Sequence, residues 1–169
     1  MATKTLKKAA KKALKKKLTK AEMRVAVAKD ALKQLELEKY KACRGTYVDW
    51  NLEDKIRESD EDEQVQKIIK EHESTCQICA RGALLMSSIR KFNDVTVKDF
   101  NKNWEKKSKQ IFSTQTLELA EIAFERWNKL DHNAKQDRAY NFGIKYSYDN
   151  ERLKAILKNI IANKGEFKP

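Results

Sequence analysis

The chain is poor in the residues that punctuate a fold: 169 residues include four glycines and one proline, and that proline is the last residue. Turn-rich β sandwiches, collagen-like repeats and long flexible linkers need far more of both. Cysteine is also scarce. Cys43, Cys76 and Cys79 are too few to form a closed set of disulfides, and no apolar secretory segment opens the sequence. A reduced, cytoplasmic protein is therefore expected. No run approaches the roughly 18 apolar residues that a membrane span requires, so no membrane span is expected. Neither G-x-x-x-x-G-K-[ST], G-x-G-x-x-G nor H-E-x-x-H occurs, and four glycines leave little from which to build a phosphate cradle. With no catalytic motif in sight, the expectation is a non-enzymatic protein with no cofactor and no identified small-molecule substrate.

What the sequence has in abundance is charge: 37 Lys+Arg against 25 Asp+Glu, a formal +12. It is unevenly spread. Residues 1–20 carry nine lysines (Lys4, Lys7, Lys8, Lys11, Lys12, Lys15, Lys16, Lys17 and Lys20) and no acid, which leaves a net +3 for the other 149 residues. Leu6, Ala10, Ala13, Leu14 and Leu18 recur there at helical spacing, so a basic amphipathic helix is available. Lysine–lysine repulsion opposes that helix until an anion neutralises it, and partial disorder is expected in isolation. Three readings compete for this arm: a solubilising extension, a binder of nucleic-acid backbones, or a membrane-surface or targeting segment. The absence of arginine and aromatics weighs against the last. Lysine reads phosphate as a point charge, so any DNA or RNA would be bound without sequence preference. Residues 58–73 carry the opposite sign, seven acids against two lysines, and could clasp the arm within the molecule.

Behind the arm the apolar pattern is helical. Thr19 and Glu22 have capping-box spacing before a stripe of Val25, Ala28, Leu32 and Leu35 running to about Tyr40. Gly45 marks a stop, and residues 46–52 lack a helical period, so a buried crossing loop or short strand is predicted. Ser59 to Glu63 reads as an acid-rich helix start leading into Val65, Ile68 and Ile69. Residues 75–91 read as the most buried helix, with Gly82 providing a narrow surface for close approach. Thr96 and Asp99 predict another start, before Phe100 and Trp104. Ser113 or Thr114 would cap Leu117, Ala120, Phe124 and Trp127, and Asp149 or Asn150 a last helix closed by Gly165. The residues from Tyr140 to Tyr148 alternate aromatic and polar, which predicts a loop or lone strand laid over the core, or exposed rings able to stack on bases. The fold class is all-α: a 1–20 cationic arm and a single compact 21–169 domain of five to six amphipathic helices.

Cys76 and Cys79 form C-x-x-C, with His72 four residues before it and Cys43 upstream. These four are the candidate metal ligands, because a tetrahedral zinc site takes thiolates and imidazoles. A redox pair is a second reading, favoured if Cys76 sits at a helix N-terminus and disfavoured by the expected lack of βαβ units. Two apolar core thiols are the simplest reading. His132 is expected to be an exposed residue beyond a helix end.

The segments CQICARGALLMS (76–87), FSTQTLELAEIAFERW (112–127) and DNERLKAILKNIIANKGEFKP (149–169) resemble a family of small uncharacterised proteins carried by bacteria and their phages. That family joins a Cys-x-x-Cys-Ala-x-Gly-Ala-Leu helix to a C-terminal Glu-Arg-Leu helix. The resemblance covers residues 23–169 and implies an intracellular, phage- or bacterium-borne α-helical domain, with no catalytic residue to transfer. Three functions stand as expectations: a binding protein whose helical body docks a partner while the arm attracts DNA or RNA; a module that binds and modulates a host protein; or a zinc- or thiol-dependent protein using Cys76 and Cys79.

Overall fold

A computed structural model describes residues 18–72, 74–92, 95–98, 100, 111–126 and 133–169. Seven helices are present among the described residues: α1 (Lys20–Glu36), α2 (Trp50–Glu58), α3 (Val65–Glu71), α4 (Ala80–Lys91), α5 (Thr114–Glu125), α6 (Ala134–Gly143) and α7 (Asp149–Ala162). Two short strands, β1 (Tyr40–Ala42) and β2 (Cys76–Ile78), complete the elements. The chain is mostly helical, as expected, but it also holds a small sheet that the helical pattern concealed.

The caps set the helix starts. Thr19 Oγ1 accepts from the Glu22 amide at 3.2 Å while the Thr19 amide donates to Glu22 Oε2 at 2.8 Å, the reciprocal box expected of these residues. Ser113 Oγ accepts from Thr116 N at 3.1 Å, and Asn133 forms a second box with Gln136. In α1 the buried stripe is Val27, Ala28, Ala31 and Leu35, so the core side is turned slightly from the expected one. α1 and α7 run antiparallel. Gly165, just past α7, lies against Ala21 and Arg24, whereas Lys154 near the start of α7 meets Glu36 at the end of α1. Gly165 has the left-handed φ of +90° expected after a helix end and donates to Ile160 O at 2.8 Å.

Between α1 and α4 the structure departs from the expected order. β1 and β2 pair in parallel, Tyr40 opposite Cys76 and Ala42 opposite Ile78, and α2 and α3 form the crossover that parallel pairing requires. The predicted helix over 75–91 therefore starts only at Ala80, and its first residues are strand. Residues 50–52, the end of the 46–52 stretch expected to be loop or strand, instead open helix α2, started by Asp49 Oδ1 accepting from Asn51 N at 2.8 Å. The run Ser59 to Glu63 is not a helix start. Ser59 closes α2, and Asp60 captures the amides of Asp62 and Glu63 in a turn. The helix waits until Val65, because Gln64 is bridged to Thr96.

Phe100 N donates to Thr96 O at 2.9 Å, so a helical turn opens where predicted. Asp99, Trp104, Trp127 and His132 lie outside the described residues. The aromatic alternation from Tyr140 is not a strand. Residues 134–143 are helix α6, and Phe142 packs edge-on against Phe167 (centroids 5.2 Å apart) and near Tyr146 (5.6 Å). The last helix begins at Asp149 with Tyr148 before it and no side-chain cap. Asn150 instead accepts from Ala42 N at 2.8 Å, and Asp149 pairs with Arg152. Buried side chains from α1 through α7 and both strands join one apolar core.

Candidate functional site

The arm's lysines from Lys4 to Lys17 lie outside the described residues, and Lys20 is the first residue of α1. What the structure does settle is where the arm joins the body. Arg24, one turn into α1, donates from Nε to Ile111 O at 3.0 Å and reaches Glu166 at 3.9 Å. This ties the root of the arm to the loop before α5 and to the C-terminal tail. Those same segments wall a groove of about 470 Å3, which runs from Ser113 and Thr116 on α5 across Lys135 and Arg138 on α6 to Glu166 and Lys168. It gathers three cations around one carboxylate. Glu166 is already engaged by Arg24 and by Lys168 at 3.4 Å. Sequence reading missed this groove because its cations stand more than 100 residues from the arm and are isolated in sequence.

The structure does not bring the four candidate metal ligands together. Among the described residues no group of three or more His, Cys, Asp or Glu side chains is placed to hold a metal ion. Cys76 lies in β2 and Cys79 caps α4, its Sγ accepting from Gly82 N at 3.4 Å. Cys43 stands in the turn after β1, where Thr46 Oγ1 donates to its sulfur at 3.6 Å. His72 follows α3 and lines, with Cys76, a separate cleft of about 310 Å3.

The redox reading is corrected in both of its premises. A β–α–α–β unit is present, and the C-x-x-C pair lies where its second strand passes into a helix. It is Cys79, not Cys76, that occupies the helix N-terminus. Burial nonetheless pushes both thiols up to about 11, the dominant effect at each, over weak hydrogen bonds that favour the thiolate. Both are neutral near pH 7, the opposite of the depressed pKa that makes a thiol a nucleophile. A thiol reagent at pH 7.5 is accordingly expected to modify Cys43 quickly, one thiol per chain. Cys76 and Cys79 should react only on unfolding, and rapid titration of all three thiols in the native protein would contradict their burial.

The close approach expected at Gly82 is real, though no helix makes it. A Cβ there would stand 1.8 Å from Tyr47 O, so the backbone before α2 occupies the space.

No family model, no curated protein and no solved structure matches this chain. The functional reading therefore rests on the chain's own residues.

Proposed function

We propose that the protein is a binding protein for polyanions, foremost the backbone of DNA or RNA, and that the lysine arm and the α5–α6–tail groove act together. One observation carries this reading: the arm joins the body beside a groove walled by Lys135, Arg138 and Lys168. Arm and groove thus present charge from the same end of the molecule. A phosphate chain held by the arm would find the groove cations close to the arm's root, and each phosphate neutralised releases condensed counterions. Lysines supply most of the contacts, so the binding is expected to ignore sequence.

Fluorescence anisotropy with arbitrary duplex DNA across a salt series tests this. Replacing the nine arm lysines by glutamine should remove most affinity in dilute buffer. The triple substitution K135Q/R138Q/K168Q should leave binding but flatten the logarithmic salt slope by about two to three, since each phosphate contact contributes about 0.9. An unchanged slope would remove the groove from the proposal, and unchanged affinity without the arm lysines would end it. A partner protein that stays bound after nuclease treatment would instead favour the second reading, a module that binds and modulates a host protein.

A further inference from the structure

At the other end of α1 lies a second feature, independent of the arm and its groove. The cleft of about 310 Å3 that contains His72 is walled by Lys33 on α1, Lys39 before β1, Lys70 on α3 and Arg90 at the end of α4. No carboxylate lines it among the described residues. Two of these cations are held in place. Arg90 Nε donates to Asp30 Oδ2 at 3.2 Å, which fixes the guanidinium plane, while its terminal nitrogens bond to none of the described residues. Lys70 Nζ donates to Gln66 Oε1 at 2.9 Å, and Gln66 in turn donates to the carbonyls of Ile89 and Arg90. Lys33 is exposed and forms no ion pair among the described residues.

The decisive residue is Gln34. It is 6% exposed, lines the cleft, and its side-chain amide makes no hydrogen bond to the described residues. The backbone carbonyl of Gln34 is used by Lys39 N at 2.9 Å, but the amide group is left over. The amide faces the cleft rather than a sealed interior, and a ligand seated there can supply the hydrogen bonds that the chain does not. His72 adds a further hydrogen-bonding group at the rim. Partial burial and the nearby Lys55 and Lys39 lower its pKa, while Asp49 opposes them more weakly, so its imidazole favours the neutral form.

We propose that this cleft binds a small phosphorylated molecule, its phosphate taken by Lys33, Lys70 and Arg90 and its uncharged, hydrogen-bonding part by Gln34. Size selects a small ligand, because 310 Å3 is at the lower end of ligand pockets and holds no length of polymer. Charge selects an anion, and a phosphate monoester offers the oxygens to meet three cations at once. The buried amide selects a ligand with a polar body over free phosphate. Cys76 at the cleft is a neutral thiol, so the assignment is to binding and not to chemistry on the ligand.

The test titrates the full chain calorimetrically with ribose 5-phosphate, inorganic phosphate and ribose at matched ionic strength, with melting temperature as a second readout. Ribose 5-phosphate is expected to bind about tenfold more tightly than inorganic phosphate, and ribose not measurably. The exposed double substitution K33Q/K70Q should weaken both phosphates at least about tenfold. Gln34→Leu separates ligand recognition from a packing role. It should melt close to the parent temperature, because the amide holds no hydrogen bond within the described residues, while ribose 5-phosphate falls to the affinity of inorganic phosphate. Loss of stability in Gln34→Leu, or unchanged ribose 5-phosphate binding in either variant, would overturn the proposal. So would the failure of the parent protein to bind either phosphate. The same titration on the chain with glutamines in place of the arm lysines should be unaltered. Loss of binding there would assign the phosphate affinity to the arm and refute the cleft, whatever the fate of DNA binding.

Discussion

Replacing Arg152 by methionine is expected to destabilise the protein by about 3–5 kcal/mol, the range for removing one partner of a buried charged network. The sequence offers no hint of this, since Arg152 falls within the amphipathic α7 as one more charged residue. In the structure its side chain is 0% exposed. It donates Nε to Gly143 O at 3.1 Å, Nη1 to Phe124 O at 3.1 Å and Asp149 Oδ1 at 2.8 Å, and Nη2 to Tyr146 O at 2.7 Å and Ser147 O at 3.3 Å. Phe124 and Gly143 are the ends of α5 and α6, where carbonyls lack helical partners and the dipole is negative. One planar fork therefore closes two helices and binds the turn leading into a third, with Cζ 5.9 Å from the Phe124 ring centroid. Arg126 Nη2 reaches Tyr146 O at 2.6 Å as well, but its bonds go to the turn, while Arg152 alone of the two arginines serves the Phe124 and Gly143 carbonyls, the latter shared with Tyr146 N at 3.3 Å. Lysine is no substitute, because a point charge on a flexible stem cannot serve carbonyls on opposite sides of a fork. Urea denaturation measures the effect. At a slope of about 2 kcal/mol/M the midpoint should fall by about 2 M for methionine, and a fall of less than about 0.5 M would show that the network contributes little.

Gly143→Ala reverses the sign that helix propensity suggests. Alanine is favoured over glycine inside a helix by about 1 kcal/mol, and Gly143 is the last residue of α6 without a left-handed φ. A Cβ there would meet Ala123 O at 1.9 Å and Ala123 C at 2.8 Å. The obstacle is backbone, which cannot swing aside as a side chain can, so α5 and α6 would have to separate. The expected result is a loss of about 2–3 kcal/mol, the range for overpacking, read as a lowered denaturation midpoint. A gain in stability would mean that the two helices do not lie so close. Gly82→Ala should behave alike, since Tyr47 O blocks its Cβ at 1.8 Å.

How far the fold could be read in advance depended on the range of the interaction involved. Thr19, Ser113 and Gly165 were legible because a cap is satisfied within a few residues of itself. Ser59 to Glu63 misled because the same residue types that cap helices also stabilise turns, and Asp60 used its carboxylate for the second purpose. α2 was hidden for the converse reason: the helix is short, and among its described side chains only Leu52 and Ile56 are buried. Strands β1 and β2 escaped detection because three residues carry no usable period, and each strand has its partner more than 30 residues away. The alternation from Tyr140 imitated a strand until the Asn133 box and the Gly143–Ala123 contact placed those residues in α6.

The candidate sites divide along the same line. By itself the sequence determined a mainly helical chain with its positive charge concentrated in residues 1–20 and a nearly balanced remainder, because helix period, caps and charge density are local properties. That the first turns of α1 stand beside the groove of Lys135, Arg138 and Lys168, and which cations surround Gln34, were decided by tertiary structure alone. Both arrangements join side chains from helices far apart in sequence, and only packing brings their charges within the few ångströms at which they act together. The cysteine pair shows the same physics in reverse: spacing allowed a ligand set or a reactive dithiol, and burial in the core made Cys76 and Cys79 neutral thiols.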